Sequence, residues 1–185
     1  WGVDFVLQDS KDRMLGRAVS YRDSRTNGMM EKVFEIMEKE KIYEKTGIQF
    51  MEFNTLFQLY ALKLKNSSLL EKAETFLMIP DYLNYLLTGE KINEITNVST
   101  TQMMNYKTGF WDDDIVKITG FEKIKNTKLG KAGDIVGNIS SKVQKELGIK
   151  KLTVILPGTH DTASAIAAVP YTGEEGAAAY ISSGT

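Results

Sequence analysis

Hydrophobic and polar positions divide this chain into a strand-rich start, a helical middle and an end in which strand and helix alternate. Val3 to Leu7 and Leu15 to Tyr21 flank the turn-forming Asp9-Ser10-Lys11-Asp12, which predicts a β-hairpin. From Gly28 to Lys41 the apolar residues Met30, Val33, Phe34 and Met37 recur at helical spacing, and Thr46-Gly47 reads as a stop. Asn54 or Thr55 can cap a second helix that buries Leu56, Leu59, Tyr60 and Leu64. Ser67 or Ser68 caps a short third helix through Ala73. Phe76 to Asp81 opens a fourth, with Pro80 in its first turn, Leu83, Leu86 and Leu87 on its apolar face and Gly89 at its end. The aromatic and methionine stripes on these helices read as core.

Two polar stretches interrupt the pattern. Tyr21 to Asn27 is a loop carrying Arg22 and Arg25, where local Asp–Arg pairing competes with a direct ligand role. Asn93 to Thr101 is rich in Asn, Ser and Thr, whose side chains bond their own backbone and favour irregular segments; such a stretch also suits the wall of a sugar site. Asp112, Asp113 and Asp114 precede Ile115 to Ile118 and read as helix N-terminal acids, with Gly120 as the stop. Lys123 to Ile139 reads as loop and short strand. Ser141-Lys142-Val143-Gln144 fits a capping box for a helix ended by Gly148.

The last third carries the candidate chemistry. Leu152 to Leu156 is apolar without alternation, which predicts a strand covered on both faces. Pro157-Gly158 ends it, and the small-residue segment from Thr162 to Val169 follows, stopped by Pro170. His160, the only histidine, and Asp161 therefore stand at the carboxyl end of a strand, where open α/β sheets bind ligands. On the residues alone, Asp161 as a helix cap and His160 as a loop residue is an equal alternative.

Composition narrows the classes. The 185 residues are 42% hydrophobic and 25% charged, with a formal net charge of −1 and no block of like charge, so nothing points to nucleic acid or an anionic membrane surface. The absence of cysteine excludes disulfides and thiolate metal sites, and one histidine argues against a histidine-based zinc site. No apolar run approaches membrane-spanning length and none reads as a secretory signal, which makes a reducing cytoplasm the default and the Asn-x-Ser matches at Asn66, Asn97 and Asn138 chance. No Walker-type Gly-Lys loop, Gly-x-Gly-x-x-Gly or His-Glu-x-x-His is present. Strand-like residues stand at both ends, Val3 to Leu7 and Ala177 to Ile181, so the chain is expected to be an excerpt from a longer protein.

Trp1 to Phe5, Tyr21-Arg22-Asp23-Ser24-Arg25-Thr26, Thr46 to Phe50, Phe53 to Leu56, Ile79 to Tyr82, Thr88-Gly89, His160 to Ala165 and Ser182-Ser183-Gly184-Thr185 together resemble the FGGY carbohydrate kinases. The Asp-Ser-Arg-Thr and His-Asp blocks carry the wider likeness. Trp1 to Phe5 and Thr46 to Phe50 point to the rhamnulokinase branch. The resemblance implies an α/β, actin-like and ribonuclease-H-like ATPase fold, incomplete here, with a helical insertion mid-chain. Residues 1–172 would form most of an N-terminal sugar-binding domain, and residues 173–185 would begin a C-terminal ATP-binding domain.

The resemblance further implies transfer of phosphate from ATP, with Mg²⁺, to the 1-hydroxyl of L-rhamnulose. Asp161 would be the general base; Gly2, His160, Asp161 and Thr162 would contact the sugar; Gly184 and Thr185 would approach the ATP phosphates. A carboxylate at a strand end suits proton acceptance, and a Gly-Thr turn lets backbone N–H groups near a phosphate. Another ketose or deoxysugar, or a non-catalytic actin-like sugar-binding module, are the alternatives. The family's first phosphate loop, its metal-associated aspartate and its adenosine pocket are absent from these residues. The isolated chain is therefore expected to be inactive and to self-associate through bare edges and apolar faces.

Overall fold

A computed structural model describes residues 2–171, 173, 176, 179–181 and 183. In chain order its elements are β1 (Phe5–Gln8), α1 (Met29–Phe34), α2 (Lys39–Thr46), α3 (Thr55–Lys72), β2 (Thr75–Met78), α4 (Ile79–Thr88), β3 (Ile92–Glu94), α5 (Ile95–Ser99), β4 (Met104–Asn105), β5 (Phe110–Trp111), α6 (Asp113–Thr119), β6 (Lys128–Gly130), β7 (Ile135–Asn138), α7 (Ser141–Leu147), β8 (Thr153–Ile155) and α8 (Asp161–Ala167). Strands β1 and β2 pair antiparallel, β3 and β6 parallel, β4 with β5 and β7 with β8 antiparallel.

The main core lies between the β1–β2 ribbon and the helices. Val33, Ile42, Leu56, Phe57, Leu59, Phe76, Met78, Val98 and Ile115 are fully buried there. Aromatic rings meet edge-on at Phe34–Phe50 and Phe76–Trp111, with centroids 5.1 and 6.2 Å apart, the arrangement their quadrupoles favour. A second cluster holds only Ile92, Val136 and Leu156, with Val154 packed against it. It packs closely on Gly130: a Cβ there would stand 2.5 Å from Leu156 Cδ1 and 2.8 Å from Ile92 Cγ2, so both side chains would have to shift to admit one.

Several expectations are met. Gly47, Gly89, Gly120 and Gly148 end α2, α4, α6 and α7 in the left-handed conformation. Pro80 stands in the first turn of α4, and Asp112 caps α6 by accepting from the N–H groups of Asp114 and Ile115. Backbone angles at Asn66 (φ −156°, ψ 69°) break α3 just before Ser67, where a separate helix was expected.

Other expectations are corrected. The hairpin closes only through the Gln8–Met14 bridge; Gly16, at φ 75°, leaves the ladder, and the partner of β1 is β2, far along the chain. Phe76 to Met78 are therefore strand, not helix. The helix expected over 28–41 is two, α1 and α2, because Glu38 leaves the helical conformation (ψ 137°). Asn54 does not cap α3 with its side chain. Its Oδ1 accepts from Met51 N–H at 2.6 Å and its Nδ2 donates to Thr100 O at 2.7 Å, while Leu56 N–H donates to Thr101 O at 3.0 Å.

The segment from Asn93 to Thr101 is ordered as β3 and α5. Asn93 bonds across to β2, accepting from Met78 N–H at 3.0 Å and donating to Phe76 O at 2.9 Å, instead of turning on its own backbone. The cap of α7 is Ser140, one residue before the expected box. Leu64, Leu83, Leu86 and Leu87 are exposed, and β8 is bare on one face, where Thr153 and Ile155 are exposed, Ile155 at 55%. No described helix is long and apolar enough to cross a membrane.

Candidate functional site

Distant pieces of chain meet at one cavity of about 330 Å³, within the range of small-molecule sites. Its wall is made by Gly2 and Val3 before β1, Tyr21, Phe53, Pro80 in α4, Asn97 in α5, Thr159 and His160 between β8 and α8, and Asp161 at the start of α8. The first wall is pinned by polar bonds over packed aromatics. Asp4 Oδ1 accepts from Tyr21 N–H at 2.7 Å, and the rings of Tyr21 and Phe53 meet edge-on at 5.4 Å. Asn97, 1% exposed, donates from Nδ2 to Gly2 O at 2.7 Å. A Cβ at Gly2 would stand 3.9 Å from Asn97 Nδ2 and Thr159 O, ordinary contact distances, so the protein's own packing does not demand glycine there.

The opposite wall is the His160–Asp161 turn. His160, not Asp161, caps α8: its Nδ1 accepts from Ala163 N–H at 3.3 Å. Nδ1 also lies 3.7 Å from Asp161 Oδ1, beyond hydrogen-bond distance. Asp161 is the first residue of α8 and its side chain is 98% exposed. Thr162 N–H donates to Asp161 Oδ1 at 2.6 Å, which holds the carboxylate at the mouth with Oδ2 carrying none of these bonds. The cavity thus unites Gly2, His160 and Asp161, while Thr162 stands behind Asp161 and outside the wall. Gly184 and Thr185, and Ala177 and Ala178 of the strand expected at 177–181, lie outside the described residues; Ala179, Tyr180 and Ile181 are described and form no strand.

Beneath the site lie two buried carboxylates that sequence reasoning passed over. Glu94, fully buried, accepts from Thr96 N–H at 3.0 Å and Asn97 N–H at 3.4 Å, and also from Thr159 N–H at 3.0 Å and Thr159 Oγ1 at 3.1 Å. Asp81, equally buried, accepts from Glu94 N–H at 3.2 Å through Oδ2, while Oδ1 has no partner. Burial, with Glu94 as a neighbouring negative charge, pushes the Asp81 carboxyl up to about 7. Acidic residues flanking Pro80 and the Thr96-Asn97 pair were visible in the sequence, but nothing local marked them as interior.

Arg25 stands apart. Its guanidinium donates to Gln58 Oε1 at 2.6 Å and lines a separate cavity of about 190 Å³ with Phe5, Leu7 and Leu69; burial lowers its pKa.

Comparison with known proteins shows the family. Residues 1–168 match the N-terminal domain of the FGGY family of carbohydrate kinases. The chain belongs to that family. It is similar to proteins named rhamnulokinase from Oceanobacillus iheyensis, 53% identical over 185 residues, and Halalkalibacterium halodurans, 49% identical. Both alignments cover the whole chain but only 38% and 39% of the relative. Among solved structures, a ligand-bound xylulose kinase from Lactobacillus acidophilus superposes with a TM-score of 0.76 over 84% of this chain and 32% of that one, at 23% identity, which shows the shared actin-like fold.

In this FGGY chain no group of three or more His, Cys, Asp or Glu among the described residues could hold a metal ion. Magnesium usually keeps several waters and takes one or two carboxylates together with substrate phosphates. An exposed carboxylate such as Asp161 fits that limited demand.

Proposed function

We propose that the full-length protein carrying this chain is a rhamnulokinase, which phosphorylates L-rhamnulose at its 1-hydroxyl with ATP and Mg²⁺. In this reading residues 1–172 belong to the sugar-binding domain and residues 173–185 begin the ATP-binding one. The observation that carries it is the exposed Asp161 carboxylate at the mouth of the cavity it shares with Gly2, in a chain 53% identical to a protein of that name.

Phosphoryl transfer needs positioning, charge neutralisation and a group that takes the proton of the attacking hydroxyl. Asp161 accepts that proton as the sugar oxygen bonds to the γ-phosphorus and the bond to the ADP oxygen breaks; the carboxyl later returns the proton to water. Thr162 N–H orients the carboxylate. His160 Nε2–H donates to a sugar hydroxyl, and Gly2 lets the ring approach the backbone. Thr162, the remaining expected sugar contact, also supports Asp161 through its N–H. Gly184 and Thr185 offer backbone N–H groups to phosphate oxygens, and Mg²⁺ neutralises phosphate charge when it is bound with ATP.

Asp161→Asn in the full-length protein is expected to lower kcat by roughly 10²-fold or more while the fold is kept. Unchanged turnover would retire the base assignment. A coupled assay over L-rhamnulose, L-fuculose, L-xylulose, D-xylulose and glycerol decides the substrate, and no turnover on any of them favours a sugar-binding module instead.

A further inference from the structure

We infer that Glu94 is a positioning residue for the phosphoryl-transfer turn: its buried carboxylate ties Thr159, and with it His160 and Asp161, to the strand end that also holds Asn97 against Gly2. The inference rests on the kinase reading above and names how that site is held in register.

The turn lacks an apolar anchor of its own. Helix α8 buries none of its residues, and from Leu152 to Asp161 only Leu156 is buried. What holds the turn from below is polar. Thr159 donates its N–H and its hydroxyl to Glu94 Oε2, and His160 N–H donates to Thr96 Oγ1 at 3.4 Å. The Thr96 hydroxyl in turn donates to the same Glu94 oxygen.

A carboxylate that only capped α5 would need the N–H groups of Thr96 and Asn97 and nothing more. Glu94 Oε2, which takes the longer cap bond from Asn97, also accepts twice from a segment 65 residues away. Bonds to an ionised acceptor are shorter and stronger than neutral ones, and a fully buried one has no water to exchange for them. The same side chain therefore sets the distance between the two walls of the cavity. Displacing a catalytic group by about 1 Å can cost about 10²-fold in rate.

Two variants separate capping from positioning in the full-length protein. Glu94→Asp keeps a good N-cap for α5 but is one methylene too short for Thr159; Glu94→Gln keeps the length and loses acceptor capacity. Both are expected to lower kcat by about 10- to 100-fold with a smaller change in sugar KM. Amide exchange of residues 157–163 should rise in both, with α3 unchanged. On an Asp161→Asn background each should cost less than about threefold more, because a residue acting through Asp161 has nothing left to place.

Turnover within about twofold of wild type in both variants, or the full loss repeated on the Asp161→Asn background, would overturn the inference. If the wild type phosphorylates none of the sugars, the kinase reading fails on its own. The exchange arm then decides the tether, and unchanged protection at 157–163 rejects it.

Discussion

Gly2 and Asn97 sit on elements whose neighbours Phe57, Phe76, Met78 and Val98 are completely buried, whereas Thr159 to Asp161 lead from β8 into a helix that buries nothing. The first wall is pinned by polar bonds, but these rest on an apolar core that tolerates little change of volume. The second is held by directed hydrogen bonds, chiefly to Glu94, and leaves Asp161 open to solvent. Segments with few buried contacts open most readily, and ligand-binding loops are drawn from such segments. Stability and turnover should therefore separate: damage to the first wall lowers stability, and damage to the second lowers rate.

The sharpest way to break that comparison is to empty the main core. Phe57→Ala is expected to cost about 3–5 kcal/mol by denaturant unfolding of the full-length protein. A loss below about 1 kcal/mol would mean the first wall is not set by packing.

Asp81 comes next, beneath both walls. Its pKa is raised to about 7 from 3.8, chiefly by burial. Below about pH 4 folded and unfolded states both hold the proton; as pH rises towards 7 the unfolded chain releases it first, so stability falls across that window. Asp81→Asn should flatten this slope, adding a few kcal/mol of stability at pH 8 and almost nothing at pH 4, as read from unfolding midpoints across pH. A profile identical to wild type would show that Asp81 ionises freely in the folded protein.

The smallest effect is expected on α4. Leu86 is half exposed, so Leu86→Gln should change stability by no more than about 0.5 kcal/mol. It should reduce self-association of the isolated 185-residue chain in light scattering, since Leu83, Leu86 and Leu87 form an exposed apolar face. Association equal to wild type would place the contact elsewhere.

Much of this was legible in local chemistry. Glycine stops, Pro80 and the Asp112 cap act within one turn of helix, so nearby residues suffice to set them. Strand partnership was not legible. The pairing of β1 with β2 joins residues about seventy apart, and a hairpin signal beside Leu7 outweighed it in the sequence. In the polar run from Asn93 to Thr101, Ser99, Thr100 and Thr101 bond nearby backbone as expected, but the two asparagines do not. Asn93 and Asn97 satisfy backbone groups of other segments, and only the fold brings those segments within reach. The exposed leucines of α4 carry a clean helical stripe, yet a stripe says that a face seeks cover, not that these residues supply it.

The sequence by itself determined the family, the strand–turn–helix that presents His160 and Asp161, and most helix ends. Each follows from short-range backbone preference or from a motif of adjacent residues. Tertiary structure alone decided that Gly2 and Asn97 face that turn, that Thr162 stands behind it, and that Glu94 and Asp81 lie buried below. Burial and long-range hydrogen bonds depend on which distant surfaces meet, and no window of sequence contains both partners.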